Sequence, residues 1–331
     1  MGKREKRGKK VEWREKRKKT EEDIEEKEEQ KEGICHWLLT VDGVRIRFGH
    51  WPVAKAKGTV LIFPGRTEYV EKYGRTAMDL GKRGYACAAI DWRGQGLADR
   101  LLENYAVGHV DSFEDYQLDV KAMLAHVKSL GLPEPYHLLG HSMGGCIGLR
   151  SLYEGLPVKS SVFSAPMWGI KMSAALRPIA WGLSSVSKPL GFSGLFAPGQ
   201  QAETYVLRAT ADDNTLTSDA SSFDLLQQQL KSHPDLALGG PSLHWLNESL
   251  REMRLLAQRP SPDVPCVTFL GTEEAIVDSA RVHQRMEQCP RGELVVLENG
   301  RHEVLMELPA IRNRVLDGSI DLFNAQTTEI A

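Results

Sequence analysis

The stretch "LLGHSMGG", residues 138–145, decides how the rest of the chain is read. An apolar run stops at Gly140, Ser142 follows, and Gly144 and Gly145 come next. A G-x-S-x-G turn between a strand and a helix can hold a serine in a strained backbone conformation with its Oγ exposed. With 30 glycines in 331 residues, about 0.17 such matches arise by chance. The motif alone is therefore not decisive, and its surroundings must carry the argument.

Those surroundings alternate between strands and helices. "VRIRFGHW" (44–51) alternates like a half-buried strand, and "GTVLIFPG" (58–65) is a short apolar run ending in Pro-Gly. A helical stretch runs on to about Lys82, and a second buried strand ends at Asp91 in "DWRGQG". Residues 113–130 have helical spacing. Strands are expected within 158–166, 265–278 and 292–299, with helices between them. Such alternation implies a mostly parallel sheet covered by helices on both faces, an α/β architecture. Residues 167–258 interrupt it with no evident strand, so a helical insertion is expected there. The expected divisions are an arm at 1–33, a core at 34–166, a cap at 167–258, a second core part at 259–323 and a tail at 324–331.

In this context Ser142 is a candidate nucleophile, with the amide of Met143 aimed at any oxyanion formed on it. A serine hydroxyl needs a base. His302, in "ENGRHEVLME", is the one histidine that follows the last expected strand. His233 and His244 fall in the insertion, and His283 falls in an expected helix. An orienting acid should follow the preceding strand, where "FLGTEEAIVD" offers Glu273, Glu274 and Asp278. Glu274 is preferred, three residues past Gly271, and Asp278, which could instead cap a helix, is the alternative. The second oxyanion donor is expected after "VLIFPG", at the amide of Arg66 or, less favoured, of Thr67.

Composition narrows the field further. A formal net charge of −2 argues against a general nucleic-acid binder. Five scattered cysteines lack metal-type spacing and are expected to be free thiols in a reducing, cytoplasmic setting. No secretory h-region and no apolar run long enough for a membrane span is seen. Residues 1–32 carry 13 Lys/Arg and 11 Asp/Glu, too charged to build a core. Residues 167–199 are apolar and carry only Lys171, Arg177 and Lys188 as charges. They are expected to receive a lipid tail, with Trp168, Trp181 and Phe196 as substrate contacts, and to touch a membrane surface peripherally.

Six stretches carry a resemblance: "FPGRTEYVEKY", "DWRGQGLADR", "GHSMGG", "SAPMWG", "HPDLALGGPS" and "GRHEVLME". In that order they resemble the lysophospholipase and monoacylglycerol-lipase branch of the α/β-hydrolases, also known as serine-aminopeptidase-type hydrolases, over roughly residues 37–323. The resemblance implies an α/β-hydrolase fold with a helical cap inserted after the sixth strand. It implies Ser142 as nucleophile, His302 as base, and Arg66 with Met143 as oxyanion donors. It places the acid at Glu274, where the family usually has Asp, which keeps Asp278 in play. It also implies that Asp91 and Arg93 pin loops rather than react. The expected activity is hydrolysis of monoacyl lipid esters with no cofactor or metal. A peptidase, short-chain esterase, acyltransferase or non-catalytic lipid binder is the alternative.

Overall fold

The computed structural model describes residues 33–173 and 175–328. The arm expected at 1–33 lies outside the described residues except for Gly33. Five apolar runs become buried strands: β3 (Thr59–Phe63), β4 (Ala86–Asp91), β5 (Tyr136–His141), β6 (Ser160–Ser164) and β7 (Cys266–Gly271). Runs without alternation suit strands buried on both faces. With β1 (Ile34–Leu39), β2 (Arg45–Trp51) and β8 (Gly292–Leu297) they form one sheet in the order β1-β2-β4-β3-β5-β6-β7-β8. Only β2 pairs antiparallel, with β1 on one side and β4 on the other.

Strand β1 was not expected from the sequence. It is an edge strand whose Ile34, Trp37 and Leu39 are exposed, so burial gives it no alternating signature. The available signal is local: Asp42-Gly43 is a hairpin dipeptide, and Thr40 and Val44 close the turn across it.

Helices cover both faces. One face carries α1 (Gly74–Lys82) and α9 (Pro309–Thr328), packed through Ala77, Leu80, Val315 and Phe323. The other carries α2 (Tyr116–Ser129), α3 (Met143–Tyr153) and α8 (Ser279–Glu287). Helix α9 continues through Thr328, so the tail expected from residue 324 is still helix there; Asn324 accepts from Tyr85 and Lys57.

Between β6 and β7 lie α4 (Leu176–Ser187), the one-turn α5 (Tyr205–Arg208), α6 (Ala220–Ser232) and α7 (Leu243–Ala257). The last of these is not a lid element. Its Trp245, Leu250, Met253 and Leu256 belong to the core cluster that includes α3. Segment 167–258 therefore joins the body through α7, while Trp181 of α4 packs on the same cluster and Leu226 and Leu230 of α6 pack with Tyr69 and Met306.

Candidate active site

Strand β5 ends at His141, α3 begins at Met143, and Ser142 between them has φ 48° and ψ −115°. That left-handed value is strained for a serine and puts the side chain at the tip of the turn. Close packing requires glycine here. A Cβ on Gly144 would lie 1.9 Å from the Phe63 carbonyl oxygen at the end of β3, and one on Gly140 would lie 2.9 Å from the Gly144 carbonyl oxygen. The Ser142 amide donates to the Ser164 carbonyl at 3.0 Å, and its carbonyl accepts from Met167 at 2.8 Å, which locks the turn to the end of β6.

Among the described residues, the amide N–H groups of Met143 and Arg66 have no hydrogen-bond acceptor. The neighbouring amides are engaged: Gly65 donates to Glu68 Oε2 and Thr67 donates to Gln95 Oε1 at 2.6 Å. Gln95 also reaches the Met143 sulfur at 3.4 Å, tying the loop after β3 to the start of α3.

His302 follows β8 and is buried. Its Nδ1 lies 2.7 Å from Glu274 Oε2. Glu274 follows β7, and its Oε1 accepts from the amides of Ile276 and Val277 at 2.6 and 3.0 Å. Burial opposes ionisation of this carboxyl, but His302 and the two amides outweigh it, so its pKa lies below the usual value. Asp278 sits elsewhere. Its carboxylate meets Arg177 Nη2 at 3.1 Å, and it heads α8 without a side-chain capping bond. Glu273 is exposed.

Ser142 and His302 line one cavity of about 510 Å³. Its wall is mostly apolar and includes Leu176, Ile179, Ala180 and Leu183, one stripe of α4. Trp168, Trp181 and Phe196, the expected substrate contacts, are not among its lining residues. Trp168 is buried against Phe163 and donates to the Gly145 carbonyl at 3.2 Å, Trp181 packs against the core cluster, and Phe196 bridges to Ser242. The segment was legible as cavity-forming, but these three residues lie off the Ser142 cavity, and Trp168 and Trp181 line a second cavity of about 460 Å³.

Beneath this arrangement lies a buried charge network that the sequence did not reveal. Lys72 Nζ donates to Glu68 Oε1 at 2.5 Å and Glu303 Oε1 at 2.6 Å. His141 Nε2 lies 3.4 and 3.3 Å from the same two oxygens, and the Tyr73 hydroxyl donates to Glu68 Oε2 at 2.6 Å. Burial alone would neutralise these groups, yet their mutual attraction keeps the Lys72 and His141 pKa values raised and that of Glu303 well below normal. Glu68, His141 and Glu303 are also a ligand set that could hold a metal, but the Lys72 ammonium already bridges the two carboxylates. In sequence, Glu68 and Lys72 look like an ordinary i,i+4 surface pair, which hides their burial.

Asp91 and Arg93 pin loops. Asp91 accepts from the amides of Val70 and Leu97 and from Arg47, while Arg93 joins Asp119 of α2 to Asp42 in the β1–β2 turn. None of the five cysteines is in a disulfide, although Cys266 and Cys289 approach to 3.5 Å. No described helix is long and apolar enough to cross a membrane.

A mostly parallel eight-stranded sheet, flanked by helices and carrying a strained serine turn at the end of β5, is the architecture of an α/β-hydrolase. Within that class the chain belongs to the family described as serine aminopeptidase, S33, whose model matches residues 54–309. It is 30% identical to lysophospholipase L2 of Escherichia coli strain K12 over 295 residues, covering 86% of this chain and 85% of that protein. It is 24% identical to monoglyceride lipase of Rattus norvegicus, covering 84% of this chain and 86% of that one. The fold is shared with a soluble variant of monoglyceride lipase from Saccharomyces cerevisiae, solved with a substrate analogue: TM-score 0.69, 21% identity, 87% of this chain and 94% of that one.

Proposed function

We propose that this protein is a serine hydrolase that cleaves the carboxylic ester of monoacyl lipids through an acyl-enzyme on Ser142. The observation that carries the reading is a convergence: a strained serine, a His302–Glu274 pair and two free amides around one apolar cavity. Names of relatives, lysophospholipase L2 and monoglyceride lipase, support the same substrate class.

In the proposed reaction His302 takes the proton of Ser142 as Oγ attacks the ester carbonyl. The amides of Met143 and Arg66 stabilise the tetrahedral oxyanion. Glu274 holds the imidazole in the tautomer with Nδ1 protonated and stabilises the imidazolium. His302 then protonates the departing alcohol, and water, activated in the same way, releases the fatty acid. No metal or cofactor enters these steps. A cytoplasmic protein meeting membrane surfaces through α4 fits the reading, because exposed Leu176, Ile179 and Leu190 lie in a stretch whose charges are all positive.

The test is a panel of lysophospholipids, monoacylglycerols, short esters and peptides, run beside labelling with a fluorophosphonate. The expected result is hydrolysis of long-chain monoacyl esters above the rest, and label on Ser142. Ser142→Ala should lose both turnover, by several orders of magnitude, and label, with its melting temperature kept. Label retained at another serine, or better cleavage of peptides, contradicts the proposal.

A further inference from the structure

Arg66 lines the cavity that holds Ser142 and His302, and its guanidinium has no carboxylate partner. Nη2 donates to the Gly239 carbonyl at 2.5 Å, and the guanidinium carbon lies 5.3 Å from the Trp245 ring centroid. Nε is shut off from solvent and has no hydrogen-bond partner. Nη1 has no hydrogen-bond acceptor among the described residues.

The other cavity charges sharpen the contrast. Glu68 and Glu303 are matched by Lys72 and His141. What remains unpaired by an acid is Arg66 and the exposed Lys171, whose Nζ donates to the Glu274 carbonyl oxygen at 3.2 Å. Elsewhere Arg47 meets Asp91 and Glu71, and Arg93 meets Asp119 and Asp42, whereas Arg285, outside this cavity, is buried on carbonyls and hydroxyls without an acid. A buried cation costs stability unless it is paired, so an unmatched guanidinium beside a reactive centre is a site for an anion supplied from outside. Arginine suits phosphate in particular, through a planar fork of donors that stay charged.

We infer that the Arg66 side chain binds the phosphate of an anionic or zwitterionic head group, so that the site selects monoacyl glycerophospholipids over neutral monoacylglycerols. This rests on the proposed lipid-ester hydrolysis and gives it a head group. One residue then acts twice: its amide faces the ester oxyanion, and its side chain grips the phosphate on the glycerol that leaves. The acyl chain extends along the α4 stripe.

The experiment measures kcat/KM for a 1-acyl glycerophospholipid and for the 1-acylglycerol of the same chain, in the parent, Arg66→Lys and Arg66→Gln. The ratio between the two substrates is the readout, because it cancels any shift of the loop that carries the Arg66 amide. Arg66→Gln should lower the ratio by about tenfold to a hundredfold, mainly through KM, the range of one charge-assisted hydrogen bond. Arg66→Lys should fall between. Equal loss on both substrates would overturn the inference and make Arg66 a strut between Gly239 and Trp245. A second arm reads binding without turnover, by calorimetry on Ser142→Ala with and without Arg66→Gln. The phospholipid should bind more tightly than the acylglycerol, and Arg66→Gln should abolish the difference. Inorganic phosphate binding as tightly as the phospholipid, or an Arg66-dependent affinity for free fatty acid instead, would overturn it too. A parent that hydrolyses neither lipid defeats the proposed activity, while this second arm still decides the head-group site.

Discussion

Ser142 adopts a conformation that few serines tolerate, and its neighbours show what enforces it. Gly144 rests on the Phe63 carbonyl with no room for a Cβ, and the Met143 and Arg66 amides are left without acceptors. The sequence exposed this much because glycine spacing is a local property. It left two acids for one histidine, and the contact is made by Glu274, at 2.7 Å from His302 Nδ1. Asp278 instead pairs with Arg177 on a partly exposed edge. Glu274→Gln should therefore lower kcat by roughly 10³–10⁴, since an amide supports the wrong imidazole tautomer. Asp278→Asn removes a pair of small worth and should change kcat less than about tenfold. Steady-state kinetics on the two variants with one soluble ester decide between them, and the reverse ranking would move the acid to Asp278.

At the scale of elements, α4 shows why residue size misleads. Its cavity face follows helical period, Leu176, Ile179, Ala180 and Leu183, and Trp181 falls off that stripe. Each methylene of an acyl chain transferred to such a wall contributes about 0.8 kcal/mol. A preference for long chains should therefore depend on the stripe rather than on the tryptophans. Ile179→Ala and Leu183→Ala should lower kcat/KM for a long-chain ester by about three- to thirtyfold while altering a butyryl ester little. Trp181→Ala should leave the ratio of long to short chains near its parent value. A chain-length series on the three variants measures this, and a ratio that collapses only in Trp181→Ala would restore the original expectation.

At the scale of the whole molecule, the buried His137 makes stability depend on pH. His137 on β5 lies against Phe323 of α9, with Nδ1 2.8 Å from Ser160 Oγ and Nε2 unpartnered among the described residues. Burial lowers its pKa to about 4. The folded state thus resists a proton that the unfolded chain accepts near its ordinary value of 6.5. Its contribution is complete above about 6.5 and is lost as the pH falls towards 4, by roughly 3 kcal/mol at most. Denaturant unfolding of the parent and of His137→Gln from pH 7 to pH 4 should show the parent losing more stability across that window. Parallel curves would mean that His137 titrates like an exposed histidine.

Length of apolar run, glycine spacing and strand–helix alternation determined the architecture and the positions of Ser142 and His302, because these depend on neighbours a few residues away. Edge strand β1 escaped because exposure erases alternation, and α9 ran past residue 323 because Asn324 is held by Tyr85, far off in the chain. Only the tertiary structure decided which carboxylate meets His302, which cap side chains face the cavity, and that Lys72 and Glu68 are interior charges. It also decided that Arg66 ends without an acid. Those outcomes are set by the packing of segments far apart in sequence: the loops after β3, β5, β7 and β8 all leave the carboxyl ends of parallel strands. Burial and pairing there are properties of the assembled surface, and no local pattern encodes them.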